Sequence, residues 1–259
     1  MTRIIAVANQ KGGVGKTTTA VNLAASLSAT RRRVLLVDLD AQGNATMGVG
    51  VDKSAVAKTC RDLLLGQAKP EEVVQSLPQL GFDLIPANGD MTEAEVRLRE
   101  MPVGDFALKS VLSDISSRYD FILIDCPPAL SKLTVNALVA ADGVLIPMQC
   151  EYYALEGLSA LVDTIEKIRK LINPKLEIEG LLRTMYDPRN NLANDVSAQL
   201  LQHFGDKVYR TMIPRNVRLA EAPSHGLPAM IYDFDCPGAR AYIALAGEML
   251  RRSETARAA

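Results

Sequence analysis

The sequence is poor in the residues that form disulfides and metal sites. It has no tryptophan, only two histidines, His203 and His225, and four widely separated cysteines that form no C-x-x-C pair. Disulfides and a structural zinc site are therefore not expected, and free cysteines suit a reducing compartment. The two histidines stand alone in the sequence, so we interpret them as surface or loop residues rather than metal ligands.

Long apolar runs and an excess of charge of one sign are also missing. No apolar run approaches the length of a membrane span and no signal peptide is recognisable, so we expect a soluble, cytoplasmic protein. The formal net charge of -1 over 259 residues excludes a protein that coats nucleic acid with a uniformly basic surface. Any electropositive surface must therefore be local.

Apolar segments with strand character alternate with helical patterns along the whole chain. Strands are expected at 3–9, 33–40, 82–87, 120–126, 143–149, 178–185 and 208–213, and helices near 16–29, 92–100, 106–117, 132–141, 154–172, 193–203 and 238–252. Several of these strands are continuously apolar, which is typical of strands covered on both faces. The order predicts a single α/β domain over residues 1–252, with a mostly parallel twisted sheet flanked by helices on both faces. A disordered tail is expected at 253–259.

The segment NQKGGVGKTTT, residues 9–19, follows the first predicted strand and opens a helix, as a phosphate-binding P-loop does. Glycines let the backbone bend around phosphates, and the helix N-terminus offers free N–H groups. Lys16 is expected to reach the outer phosphates and Thr17 to bind Mg²⁺. Nucleotide contacts are predicted for Lys11, Gly12, Gly13, Val14, Gly15, Lys16, Thr17 and Thr18.

This loop departs from the standard pattern G-x-x-x-x-G-K-[ST]. Gln10 stands where the first glycine is expected, and Lys11 is a second lysine inside the loop. A solvated loop lysine is one interpretation of Lys11. A cation that neutralises charge on a phosphate is the other.

Two further segments place carboxylates at the ends of apolar strands. Asp38 and Asp40 end the run LLVDLD, and two residues apart on a strand their side chains project from the same face. They can serve a metal ion and a water molecule, or they can cap the next turn. Asp125 in FILIDCPP has the form of a Walker B carboxylate that holds Mg²⁺ through water. Because ligands of open α/β sheets bind at the carboxyl ends of the strands, all three motifs predict one nucleotide site.

Together, KGGVGKTT, VDLDAQGNAT and YDFILIDCPP resemble the deviant Walker A ATPases of the MinD/ParA superfamily, specifically the ParA/Soj group that partitions chromosomes or plasmids. The resemblance extends over essentially the whole chain, including RNNLANDV and IPRNVRLAEAPSHGLP. It implies that Lys11 crosses the interface of an ATP-bound homodimer to the partner's phosphates, while Lys16 acts within its own site. Asp40 would orient the attacking water, and Thr17, Asp38 and Asp125 would serve Mg²⁺. A cation supplied by a second subunit makes hydrolysis depend on dimerisation.

The resemblance also suggests contacts to the base and to DNA. Adenine is expected near Pro214 and Asn216 with Met185 as a packing surface, although a turn proline, a helix cap and a core methionine explain the same residues. The stretch 183–220 carries six Arg or Lys against three Asp, a local charge of +3. The resemblance implies that Arg189 and Arg218 contribute to sequence-independent binding of double-stranded DNA. A solvated charged face is the alternative.

Three outputs of such a nucleotide switch compete. For partition, the resemblance implies a nucleoid-associated ATPase whose slow turnover is stimulated by a ParB-type centromere-binding protein. A MinD-like membrane ATPase would need an amphipathic C-terminal helix, but the apolar residues stop at Leu250, so no membrane association is expected. A redox protein like the nitrogenase iron protein would need a second suitable cysteine besides Cys126 in a glycine-rich loop, which is missing. The resemblance therefore implies an ATP- and Mg²⁺-dependent DNA-segregation ATPase, with a MinD-like membrane-associated positioning ATPase as the alternative.

Overall fold

An eight-stranded sheet runs through the centre of the molecule. The computed structural model describes residues 2–152 and 154–258. The strands are β1 (Arg3–Val7), β2 (Val34–Asp38), β3 (Gln75–Leu77), β4 (Phe82–Ile85), β5 (Phe121–Asp125), β6 (Gly143–Met148), β7 (Glu177–Tyr186) and β8 (Val208–Pro214). Their spatial order is β3-β4-β2-β5-β1-β6-β7-β8, with β3 antiparallel to β4 and the other neighbours parallel.

Helices cover both faces of this sheet. They are α1 (Lys16–Ser28), α2 (Asn44–Gly48), α3 (Cys60–Leu64), α4 (Pro70–Val73), α5 (Met91–Glu100), α6 (Ala107–Ile115), α7 (Lys132–Ala140), α8 (Ala154–Leu171), α9 (Asn191–Phe204), α10 (Val217–Glu221), α11 (Ala229–Tyr232) and α12 (Pro237–Ala258). Alternate residues of a strand face opposite sides, so Ile5 and Val7 pack in one hydrophobic cluster and Ala6 packs in the other. The first cluster includes α1, α11 and α12, and the second includes α3 and α5 to α9. The predicted α/β fold class is thereby confirmed.

Every predicted strand and helix is present, with ends that shift by a few residues. The sequence reading missed β3 and the short helices α2, α3, α4, α10 and α11, because elements of three to five residues are too short to show a periodic pattern. Local contacts specify them instead, as in α3, where Thr59 and Asp62 form a capping box. Helix α12 continues past the predicted end at 252 to Ala258, through residues for which a tail is predicted.

The histidines lie on the surface, as the sequence analysis expects, and the cysteines lie in the interior. His203 and His225 are exposed on the surface. All four cysteines are free and buried, and burial raises the pKa of the Cys126 thiol, as expected for a packing residue. Among the described residues, no helix has the length and apolar character needed to cross a bilayer.

The strand order brings the three predicted motifs to one edge of the sheet. Strand β5 lies between β2 and β1, and its last residue, Asp125, is in register with Asp38 of β2 and Val7 of β1. The loop that follows β1 is the predicted P-loop, so it and both acidic strand ends meet at the carboxyl edge. Strands β7 and β8 add their own carboxyl ends on the other side of β1.

Candidate functional site

The P-loop ends in a helix whose first turn is open to a ligand. Gly13 and Gly15 have φ of 72° and 86°, a left-handed conformation that favours glycine. Gly15 is also the N-cap residue of α1 and offers no side chain to cap the helix. The N–H groups of the first turn, with the positive end of the helix dipole, therefore form an anion-binding site.

Lys16 is almost buried within this loop. Lys16 is only 8% exposed, and its Nζ donates a hydrogen bond of 3.0 Å to the backbone oxygen of Lys11. Burial lowers the pKa of Lys16, while the Asp125 carboxylate opposes that shift. A cavity of about 360 Å³ opens above the loop, and we call it the phosphate cavity. The residues that line it are Gly12, Gly13, Gly15, Lys16, Thr17, Thr18, Asp40, Gln42, Asn44, Pro128 and Met185.

Asp125 is a buried carboxylate with no hydrogen-bond partner of normal geometry among the described residues, although the Thr17 hydroxyl is close by. Both of its oxygens are inaccessible and unpaired within residues 2–152 and 154–258. Burial, and next the charge of Asp38, hold the pKa of Asp125 well above its ordinary value, although Thr17 acts in the opposite direction. Because an unpaired buried carboxylate is costly, this position fits a bound cation with its water shell, next to the Thr17 hydroxyl.

Asp38 is buried as well, but its oxygens are engaged. Oδ1 accepts a hydrogen bond from the backbone N–H of Asp40 (3.2 Å), and Oδ2 accepts from the N–H and hydroxyl of Thr46 (2.8 and 2.7 Å). Burial raises the pKa of Asp38 to about 6. These bonds fasten helix α2 and the preceding loop to the end of β2, as the capping interpretation describes. The metal role of Asp38 stays a prediction.

Asp40, unlike Asp38, lies on the wall of the phosphate cavity. Strand β2 ends at Asp38, so the alternation of a strand does not extend to Asp40, and the two side chains have different surroundings. Asp40 is half-buried, and its Oδ1 accepts a hydrogen bond of 3.0 Å from the N–H of Gln42. Of the two, Asp40 is the carboxylate that a bound phosphate or an attacking water would meet.

The Lys11 side chain pairs with a residue outside the P-loop. Its ammonium forms an ion pair with Glu151, which follows β6, and the two side chains are 45% and 50% exposed. Its backbone N–H is held by Asn9 Oδ1 at 3.0 Å. The sequence analysis missed Glu151, although its place just beyond the carboxyl end of β6 was a signal for a site residue.

A second cavity, of about 280 Å³, lies beside the P-loop between β7, β8 and α12. Pro214 and Asn216 line it, as does Met185, the half-buried residue suggested as a packing surface. Asn216 also caps α10, since its Oδ1 accepts from the N–H of Leu219, so the helix-cap interpretation of this residue holds too. A flat apolar group that extends from the phosphate cavity could enter here.

Met185 joins the two cavities. Its φ of 49° is unusual for a residue with a side chain, and its sulfur accepts a hydrogen bond from Gln149 Nε2 at 2.7 Å. Gln149 also donates to the backbone oxygen of Gly13, and the Thr184 hydroxyl donates to that of Val14 at 2.8 Å. The ends of β6 and β7 thus hold the P-loop from outside. Sequence reasoning missed Gln149 and Thr184.

The arginines predicted to bind DNA are exposed, and each is paired with carboxylates. Arg189, with a side chain 88% exposed, makes two hydrogen bonds to Asp187, whose pKa it lowers to about 2. Arg218, 49% exposed, pairs with Glu221 and Asp233. The charge of +3 counted over 183–220 is not one continuous surface, because Arg183 is only 6% exposed.

We expect Asp125→Asn to stabilise the protein in the absence of nucleotide. The variant removes the charge of a buried carboxylate and leaves Asp40 near Lys16, and at about pH 7.5 it should raise the free energy of unfolding by on the order of 1–3 kcal/mol. An elevated pKa in the folded state means that the ionised carboxyl opposes folding, and this cost grows as pH rises above the unfolded pKa of 3.8.

Thermal and urea unfolding at about pH 5 and pH 7.5 would check this prediction. The gain should shrink at the lower pH, because a carboxyl whose pKa is raised by folding takes up a proton more readily as pH falls, and the cost of its charge is then lost. Asp90→Asn, a change at an exposed carboxylate, is the matched control. An Asp125→Asn protein less stable than wild type at both pH values would contradict the argument.

The chain is similar to known proteins over nearly its whole length. A family model described as an AAA domain matches residues 2–178. The chromosome partitioning protein ParA of Caulobacter vibrioides is 48% identical over 252 residues, which cover 96% of this chain and 94% of that protein. The sporulation initiation inhibitor protein Soj of Bacillus subtilis is 49% identical over 249 residues, 96% of this chain and 98% of that protein.

A solved structure extends the comparison to bound ligands. The cobyrinic acid a,c-diamide synthase of Mycobacterium smegmatis, with bound ATP analog and magnesium, superposes with a TM-score of 0.87 at 36% identity. The match covers 99% of this chain and 97% of that one. Its name indicates a different activity from those of the two sequence relatives. One fold serves several reactions, so the activity of this chain has to be argued from its site.

Proposed function

The chain belongs to the ParA/Soj family of chromosome-partitioning ATPases, and on this basis we propose that it is an ATP-controlled DNA-binding switch. In the ATP-bound state it forms a sandwich homodimer with a nucleotide in each subunit, and this dimer binds double-stranded DNA without sequence preference. Hydrolysis resets it. The cargo is chromosomal, as in the named relatives, while plasmid cargo suits the same chemistry.

The observation that carries the proposal is the unpaired Asp125 carboxylate beneath the open end of α1 and next to Thr17. We assign Thr17 and Asp125 to Mg²⁺, with Asp38 as a further carboxylate, and the P-loop backbone to the phosphates of ATP. When bound, Mg²⁺ neutralises charge on the β- and γ-phosphates. Lys16 would exchange the backbone oxygen of Lys11 for a phosphate oxygen. Pro214 and Asn216 would contact adenine.

Asp40 is proposed to orient the water that attacks the γ-phosphate. A carboxylate is a poor base for water, so positioning the water is the role it can perform. Lys11 would supply a cation to the partner's γ-phosphate and so stabilise the charge of the transition state. To do this it must leave Glu151. The exposed ion pair contributes little free energy, so exchange for a phosphate is favourable.

We assign DNA binding to Arg189 and Arg218, whose guanidinium groups would likewise exchange a carboxylate partner for a phosphate. Each guanidinium is exposed and already holds a carboxylate, a geometry that also suits phosphate oxygens. Two subunits would double the number of such contacts, which explains why only the dimer would retain DNA. Slow hydrolysis would let a ParB-type centromere-binding protein control release by stimulating turnover, with the ATP-bound form on the nucleoid.

Duplex DNA binding with ATP, with ADP and without nucleotide, over a series of salt concentrations, tests the proposal. We expect binding with ATP only, and affinity that falls steeply with salt. Anionic lipid vesicles measured in parallel distinguish the MinD-like alternative. ATP-dependent binding to vesicles, with none to DNA, would overturn the partition assignment.

The double variant Arg189→Glu, Arg218→Glu should lose DNA without losing the ATPase. We expect DNA affinity at low salt to fall by about 100-fold or more, and the dependence of log affinity on log salt to become shallower. ATP turnover without DNA should survive, because neither residue lines the phosphate cavity. Arg97→Glu, Arg99→Glu on α5 is the charge-matched control, since these exposed arginines also pair with glutamates. Equal DNA binding by both double variants at every salt concentration would rule out the assigned surface.

A further inference from the structure

Strand β8 departs from regular pairing just before the residues assigned to adenine. Leu181 of β7 is in register with Val208, but Arg183, two residues later, is in register with Met212, four residues later. Two extra residues of β8 therefore bulge out of the ladder between these pairs. The backbone groups in such a bulge lose their partners in the neighbouring strand and need others.

Arg183 supplies the partners for the carbonyl groups of the bulge. Its Nη2 donates to the backbone oxygens of Tyr209 (2.8 Å) and Arg210 (3.3 Å), and its Nη1 donates to Ser197 Oγ of α9 (2.8 Å). The residue is only 6% exposed, and its Nε has no hydrogen-bond partner within the described chain. None of the three hydrogen bonds goes to a carboxylate: this buried guanidinium binds two backbone oxygens and one hydroxyl.

Glu248 of α12 supplies the partners for the N–H groups of the same bulge. Its Oε1 accepts from the N–H of Arg210 and its Oε2 from the N–H and hydroxyl of Thr211, at 2.9, 2.9 and 2.7 Å. Glu248 is 7% exposed, and its Oε1 also accepts a hydrogen bond from Arg252 of the same helix at 2.8 Å, which keeps the carboxylate ionised and in place. A buried cation and a buried anion thus hold three consecutive residues, 209–211, from both sides of β8. We call Arg183 and Glu248, together with the bonds they make to these residues, the clamp.

A buried charge is an expensive way to fill a core, and apolar side chains of the same size serve packing as well or better. Charges of this kind are retained where they specify one geometry among several. What the clamp specifies here is the path by which β8 leaves the sheet. Three residues after the clamp, Pro214 and then Asn216 enter the wall of the second cavity.

We propose that Arg183 and Glu248 are positioning residues for the nucleotide base: by holding the bulge of β8 they set where Pro214 and Asn216 meet the adenine. Both act through the backbone and touch neither phosphate nor metal ligands. The inference rests on the proposed placement of adenine in this cavity. Two buried residues outside the cavity, Arg183 and Glu248, thereby contribute to affinity for the base, separately from the affinity of the P-loop for phosphate.

The test compares Mg²⁺-dependent binding of ATP, GTP and inorganic tripolyphosphate to the full chain by calorimetry. Arg183→Met and Glu248→Gln should each weaken ATP binding by about tenfold, equivalent to about 1.4 kcal/mol, while tripolyphosphate affinity changes by less than about twofold. The preference for ATP over GTP should fall together with the ATP affinity. Tripolyphosphate has no base, so a loss confined to ATP separates positioning of the base from general destabilisation.

Arg61→Met is the matched control. It removes a half-buried arginine of α3 from its carboxylate partners Asp62 and Glu93, and α3 packs with α4, α5 and α6 rather than with β8, so the change lowers stability without reaching the clamp. It should leave the ratio of ATP to tripolyphosphate affinity unchanged. If the clamp variants keep the wild-type ratio, or weaken both ligands equally, the inference is wrong; Glu248→Gln decides if Arg183→Met does not fold. If wild type binds ATP no more tightly than tripolyphosphate, the placement of adenine is itself wrong.

Discussion

Replacing Lys16 by Ala should abolish useful ATP binding. The ammonium is almost buried at the base of the phosphate cavity, where solvent cannot replace it. Truncating one member of a buried charge pair costs at least about 3 kcal/mol, or roughly a 100-fold loss of affinity. The loss should extend to turnover, since the same charge stabilises the transition state.

Titration with a fluorescent ATP analogue and a steady-state phosphate assay would measure both effects. Lys109→Ala, a change to an exposed lysine of α6, is the control and should behave as wild type. Unchanged affinity and unchanged turnover in Lys16→Ala would rule out the site. Because Lys16 also donates to the Lys11 carbonyl, unfolding should be measured on the same sample.

Replacing Asp40 by Ala should trap the ATP-bound dimer. Asp40 lines the cavity and has no structural role beyond one hydrogen bond to Gln42 among those described, so the chain should fold and bind ATP. Loss of a group that positions the attacking water should slow hydrolysis by about 100-fold or more. ATP then stays bound, and the dimer that it holds together persists.

Light scattering after size exclusion with ATP and Mg²⁺ would show the persistent dimer, and bound nucleotide can be identified after denaturation. Asp38→Ala makes an instructive comparison, because Asp38 secures α2 through Thr46. We expect that variant to lose stability as well as turnover. An Asp40→Ala protein that stays monomeric with ATP, or that hydrolyses ATP at the wild-type rate, would contradict the assigned role.

The fold and the phosphate-binding loop could be predicted because their signals are local. A continuous apolar run bounded by helical patterns reports a buried parallel strand, and the glycines of the P-loop report the backbone conformation they adopt. Asp125 was predictable for the same reason, since it ends such a run. The short helices and β3 were not, because a few residues show no period and depend on caps and on neighbours distant in sequence.

The sequence by itself determined the parallel sheet, the place of the P-loop and acidic strand ends at one edge, and the family. Only the tertiary structure decided which carboxylate faces the cavity, because β2 ends at Asp38 and the loop turns Asp40 outward. It also paired Lys11 with Glu151 and buried Arg183, which the charge count had placed among surface residues. The physical reason is common to these cases. Charge and spacing are properties of the chain, whereas the partner of a charge and its exposure to water depend on residues distant in sequence that folding brings beside it.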